Sequence, residues 1–127
     1  MLVAACVFAA LAALVHVYIF VLESVRWTEP ATRRVFGTSE EVAEVTQPLA
    51  YNQGFYNLFL AIGTAVGIAL VPGDRTAGIA LIVFATGSML AAALVLIASD
   101  RSKARAALVQ GLFPALALVS LLVSAVA

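Results

Sequence analysis

Apolar and polar positions in this chain separate at the scale of whole segments. Four apolar runs, at about 2–25, 49–71, 76–98 and 104–126, are divided by stretches that collect nearly all of the charged side chains. Each run exceeds or matches the roughly 20 residues that an α-helix needs to cross the hydrocarbon of a bilayer. The pattern predicts an all-α, four-transmembrane-helix bundle with a longer loop between helices 1 and 2, and one integral membrane domain covering residues 1–127. Pro72-Gly73-Asp74 reads as the tight turn between helices 2 and 3, and Asp100, Arg101 and Lys103 begin the loop before helix 4.

The runs are not uniform inside. Helix 1 carries small residues at Ala5, Ala9, Ala12 and Ala13, which allow close helix approach, and ends with His16, Phe20 and Glu23 on one stripe. Seven residues of helix separate His16 from Glu23 by about 10 Å along the axis, so the two cannot share one small ion unaided. No Lys or Arg precedes the first run and no small-x-small site follows it, so it is expected to be a retained helix. Arg26 marks the aqueous boundary and Trp27 an interfacial anchor. In the long connection, Pro30 and the capping-box spacing of Thr38-Ser39-Glu40-Glu41 predict two short surface helices. Helix 2 opens with Tyr51, Asn52, Gln53, Gly54, Phe55, Tyr56 and Asn57, then becomes apolar around Gly63-x-x-x-Gly67, which is expected to serve packing within the chain. Thr86 and Ser88 can bond back to their own helix. Pro114 removes the donor that would have met the carbonyl of Gln110.

Composition agrees: 64% apolar against 11% charged residues is far from a soluble domain. The formal net charge of zero hides an asymmetry. Arg26, Arg33, Arg34, Arg101, Lys103 and Arg105 lie in the two loops that four spans would place on one side, and only Arg75 lies opposite. Positive charge stays cytoplasmic, so both termini are expected outside. The single cysteine, Cys6, excludes an intrachain disulfide and C-x-x-C chemistry; the single histidine excludes bis-histidine haem within one chain. No carboxylate-rich cluster suggests a metal; a single-histidine haem or a site shared across an oligomer stays open, and the cofactor is unknown.

Amides, phenols and ionisable groups inside a membrane must meet protein, water or a ligand. Glu23 and Asn52 lie near the same end of neighbouring helices, with His16 and Asn57 deeper, and Gln110 enters at similar depth from helix 4. Convergence of these groups predicts a polar pocket open to the cytoplasm or inner leaflet. His16 and Glu23 are the candidate acid–base residues, and Asn52, Gln53, Tyr56, Asn57 and Gln110 the candidate ligand-binding ones. A competing reading makes the same groups a hydrogen-bond network that sets helix packing, with Glu23 also within reach of Arg26.

At these residues the chain resembles a family of small bacterial four-helix integral membrane proteins classed as a domain of unknown function. Its patterns, H-x-Y-I-F-x-L-E-x-x-x-W and A-x-N-Q-G-x-Y-N, are matched by His16 through Glu23 with Trp27, and by Ala50 through Asn57; Val35-Phe36-Gly37 fits its loop signature. The resemblance covers essentially the whole chain and implies a multi-pass protein of the bacterial inner membrane with no assigned activity. Two functions therefore stand. One is binding or conversion of a small amphiphile from the lipid bilayer. The other is an accessory subunit, in a homo-oligomer or a larger membrane complex; nothing points to nucleic acid.

Overall fold

The computed structural model describes residues 1–126. Its elements are α1 (Leu2–Phe20), continued by a π-helical turn (Val21–Val25), then α2 (Pro30–Phe36), α3 (Glu40–Leu70), α4 (Arg75–Ser99), a 3-10 turn (Arg101–Lys103) and α5 (Ala104–Val126). The fold is an all-α bundle in which α1 with its π turn, α3, α4 and α5 are each long and apolar enough to cross a membrane. α1 packs on α3 and α5, and α4 packs on the same two helices, so α1 and α4 face each other across a diagonal.

Small side chains make this packing close. Ala5 and Ala9 of α1 are wholly buried with Ile82 of α4 and Ala117 of α5, and Leu121 completes the cluster. The tightest backbone approach joins α3 to α4. A methyl group at Gly67 would lie 2.9 Å from the Gly78 carbonyl oxygen, and one at Gly78 would lie 2.7 Å from the Gly67 oxygen. Gly63, four residues earlier, has open space where a Cβ would sit. Only one glycine of the Gly63-x-x-x-Gly67 pair thus serves packing within the chain. Large apolar side chains such as Val3, Leu14, Phe84, Val95 and Leu122 point outward, as expected for a surface solvated by lipid tails.

The long connection differs from the two short helices anticipated. α2 forms, but the second segment is fused into α3, which runs unbroken through Pro48. Proline deletes one backbone donor, and near the polar end of a helix water can satisfy the carbonyl left over. The cap is Ser39 rather than Thr38, its Oγ accepting from the Val42 N–H at 3.3 Å. At 31 residues, α3 is about 46 Å long, well beyond a hydrocarbon core of about 30 Å. Its first turns therefore project past the span.

α2 stops at Gly37, whose φ of 64° is the left-handed conformation that glycine adopts without steric cost. Beside it the Lys103 ammonium donates to the Phe36 carbonyl, tying the α4–α5 turn to the α1–α3 connection. Both basic loops thus occupy one end of the bundle. At the turns, Asp74 Oδ1 accepts from the Ala77 N–H at 3.0 Å and Asp100 Oδ1 from the Ser102 N–H at 2.9 Å. Hydrogen bonding to Ser102 holds the Asp100 carboxyl below the usual carboxylate range.

Candidate functional site

The polar chemistry of the spans gathers where α1 passes α3 at the basic end. There α1 widens: the Arg26 N–H bonds the Val21 carbonyl five residues back, at 3.0 Å. Such π turns recur at functional sites because they re-aim side chains that a regular helix would hold elsewhere. Glu23 and Ser24, although adjacent in sequence, both reach α3. Glu23 Oε2 accepts from Asn57 Nδ2 at 2.9 Å, and Ser24 Oγ donates to the Tyr51 carbonyl at 2.8 Å. The same Asn57 nitrogen donates to the Gln53 carbonyl at 3.1 Å, which fixes the amide on its own helix. Gly54 permits the approach. A methyl group there would collide with Ser24 Oγ and lie 3.1 Å from the Phe20 carbonyl oxygen. The rings of Phe20 and Phe55 close the seam edge to face, 5.1 Å apart.

Next to this seam lies an open groove of about 300 Å³, lined by Glu23, Trp27, Thr38, Val42, Thr46, Leu49, Ala50 and Gln53. Positions 42, 46, 49, 50 and 53 form one face of α3. Trp27 is held against that helix by its indole N–H, which donates to the Ala43 carbonyl at 3.0 Å and to Thr46 Oγ1 at 3.2 Å. Phe36 packs on the same ring, with centroids 5.0 Å apart. Arg26 pairs with Glu29 at 2.7 Å, so the carboxylate of Glu23 is left to Asn57.

The anticipated convergence of five polar side chains from three helices does not form. Glu23 and Asn57 meet, and exposed Gln53 joins Glu23 in the groove wall. Asn52 and Tyr56 sit on the exposed face of α3, Tyr56 being 58% exposed. Gln110 is half-buried on α5 and does not line the groove. The reason is helical periodicity: seven consecutive residues cover the full circumference, so a continuous polar run cannot point one way. The buried stripe Ala50, Gly54, Ala61 and Thr64 marks the inward face, and Asn57 falls beside it. Gly54 was the register marker available in the sequence. Ser24, Trp27 and Thr46 gain roles that the composition of their segments did not suggest.

His16 is a case by itself. It is 0% exposed, and its Nδ1 bonds the Ala12 carbonyl at 2.9 Å. A carbonyl only accepts, so Nδ1 carries the proton and Nε2 of the neutral ring is an acceptor. That Nε2 is buried without a partner, and His16 does not line the groove. Among the described residues, no three His, Cys, Asp or Glu side chains come together as a metal site.

No curated protein and no solved structure matches the chain. A family match spans residues 10–122, which includes the π turn, the groove and the Glu23–Asn57 seam. The chain belongs to the family described as "Protein of unknown function (DUF1304)".

Proposed function

We propose that the protein binds a small amphiphile in the groove beside Glu23, drawn from the inner leaflet of a bacterial inner membrane with both termini outside. The orientation rests on the six basic side chains at the groove end of the bundle, against Arg75 at the other. The observation that carries the reading is the Glu23 carboxylate. It belongs to a membrane-spanning helix and is secured through one oxygen by Asn57, while also bordering an open groove. A carboxylate at that depth is costly unless it has work to do. Gln53 and Thr46 add hydrogen-bonding groups to the same wall, and Val42, Leu49 and Ala50 supply apolar surface for a chain. A few placed polar groups in an apolar cleft is the usual composition of a small-molecule site. Binding fits this arrangement better than conversion, because His16 stands outside the groove and cannot share a proton with a ligand there.

Trp27 is the only tryptophan and lines the groove, so its fluorescence reports occupancy. In detergent micelles, a bromine-labelled single-chain amphiphile should quench it saturably, and Gln53→Leu should weaken that quenching several-fold. Quenching that rises linearly and ignores Gln53→Leu would reflect bulk lipid and overturn the reading.

One further observation favours the accessory-subunit alternative. Val45, Leu49, Asn52, Tyr56 and Phe59 recur in alternating steps of four and three along the exposed face of α3. That is the spacing of a helix–helix seam, and an amide and a phenol on it call for protein rather than lipid. Disulfide trapping through Phe59→Cys in a Cys6→Ser background tests whether a second copy covers it. A dimer band favours this role, and its absence counts against a symmetric α3–α3 contact.

A further inference from the structure

The groove does not end at Thr38. A second recess of about 460 Å³ adjoins it there, lined by Pro30, Arg33, Arg34, Gly37 and Thr38. Thr38 belongs to both linings, so the two recesses are neighbours on either side of it. The upper recess is cationic. Arg33 Nε is buried without a hydrogen-bond partner, and the Arg33 guanidinium reaches only Glu40, at 3.4 Å. Arg34 makes no ion pair among the described residues. Lys103, tied to the Phe36 carbonyl, brings a third cation to the edge of Gly37. Arg33 and Arg34 thus line the recess, with Lys103 at its edge and Glu40 paired to Arg33.

We infer that this recess holds the phosphate head of an anionic amphiphile whose chain occupies the adjoining groove. The inference deepens the binding reading above and rests on it. Guanidinium groups present forked N–H donors that match the oxygens of a phosphate, and the charge-assisted bonds are stronger than neutral ones. A phosphate in the recess would meet Arg34 and the part of the Arg33 side chain that lines it, the buried Nε staying out of reach. From there the linking segment of the ligand descends past Thr38 and Thr46; the Thr46 hydroxyl already donates to the Val42 carbonyl, so it is left to accept from a ligand hydroxyl. Its hydrocarbon leaves beside Leu49, where the apolar run of α3 begins. The cationic recess gives way to a groove where Thr46, Gln53 and Glu23 stand among apolar Val42, Leu49 and Ala50, which suits the polar linkage of a lipid and the start of its chain. An uncharged amphiphile would leave the cationic recess without a partner. Inorganic phosphate would fill that recess alone, so the two sources of the same group can be told apart.

The test compares two probes of identical bromine-labelled chain, a monoacylglycerol phosphate and the monoacylglycerol lacking the phosphate, on the full chain in uncharged detergent. Trp27 quenching is the readout. The phosphorylated probe should bind at least tenfold more tightly, and the advantage should shrink on raising the salt concentration. Arg34→Gln, at an exposed position, should remove most of the advantage while leaving binding of the unphosphorylated probe unchanged. Millimolar inorganic phosphate should compete with micromolar phosphorylated probe only weakly. Equal affinity for both probes, or an advantage that survives Arg34→Gln and Arg33→Gln together, would overturn the phosphate assignment and leave the amphiphile site standing. Full displacement by inorganic phosphate at the concentration of the probe would assign the recess to free phosphate and overturn the lipid source. Failure of both probes to quench saturably would instead remove the binding reading beneath it.

Discussion

Asn57 donates its side-chain amide to the Glu23 carboxylate at 2.9 Å, joining α1 to α3 inside the membrane-spanning part of the bundle. Removing one partner of such a bond strands the other. Asn57→Leu should therefore destabilise the protein by about 1–3 kcal/mol, the range for a buried hydrogen-bonding group left unsatisfied. Glu23→Leu in the Asn57→Leu background should recover a good part of that, since no polar group is then stranded. Thermal unfolding in nanodiscs of the wild type, both single variants and the double variant measures the coupling; a coupling near zero would show that the bond does not hold the seam.

The glycines offer a contrast that needs no ligand. Gly54→Ala would drive a methyl group into Ser24, and Gly78→Ala would drive one into the Gly67 carbonyl. Each should cost about 1–3 kcal/mol, as for overpacked cores. Gly63→Ala meets nothing within 4 Å and should be neutral, or stabilising by up to about 1 kcal/mol through lower chain entropy. The ranking of melting temperatures checks all three at once. A damaging Gly63→Ala would mean that another molecule occupies that space.

His16 separates packing from chemistry. With its ring wholly buried and Nε2 unpartnered, it fills volume without a completed polar network. His16→Ala should cost about 2–5 kcal/mol by leaving a cavity. His16→Leu should cost less than about 1.5 kcal/mol, as near-isosteric swaps do. Saturable quenching of Trp27 should persist in His16→Leu; its loss with the fold intact would return His16 to the binding site.

Acid should loosen the α4–α5 turn first. Asp100 has its carboxyl held below the ordinary value near 3.8 by the Ser102 side chain and, after it, by the Ser102 N–H. The folded-state pKa lies below the unfolded one, so the contribution is complete above the ordinary value and is lost as pH falls through the folded one. Amide hydrogen exchange at Ser102 should accelerate over that acidic window in the wild type. In Asp100→Asn the acidic change at Ser102 should be absent.

How much of this is legible in the sequence depends on the length scale of the signal. Hydrocarbon runs of membrane-spanning length, together with the gathering of Arg and Lys, specify four helices and a charge asymmetry from composition alone. Local chemistry also marks a helix start near Ser39, because caps depend on a few neighbouring residues. The site was only half visible. Glu23 and Asn57 were both conspicuous as polar groups in apolar helices, yet so were Asn52, Tyr56 and Gln110, which the bundle leaves elsewhere.

The sequence by itself determined the all-α architecture, the number of spans, the basic end and the family, since each rests on residues adjacent in the chain or on sums over it. Tertiary structure alone decided which polar residues meet. The π turn at Val21–Val25 sets where the end of α1 points. The contact of Gly54 with Ser24 sets the height and rotation of α3 against it. Rotation about a helix axis is governed by packing with a neighbour distant in sequence, and a step of one residue swings a side chain by about 100°. No pattern within a single helix carries that information.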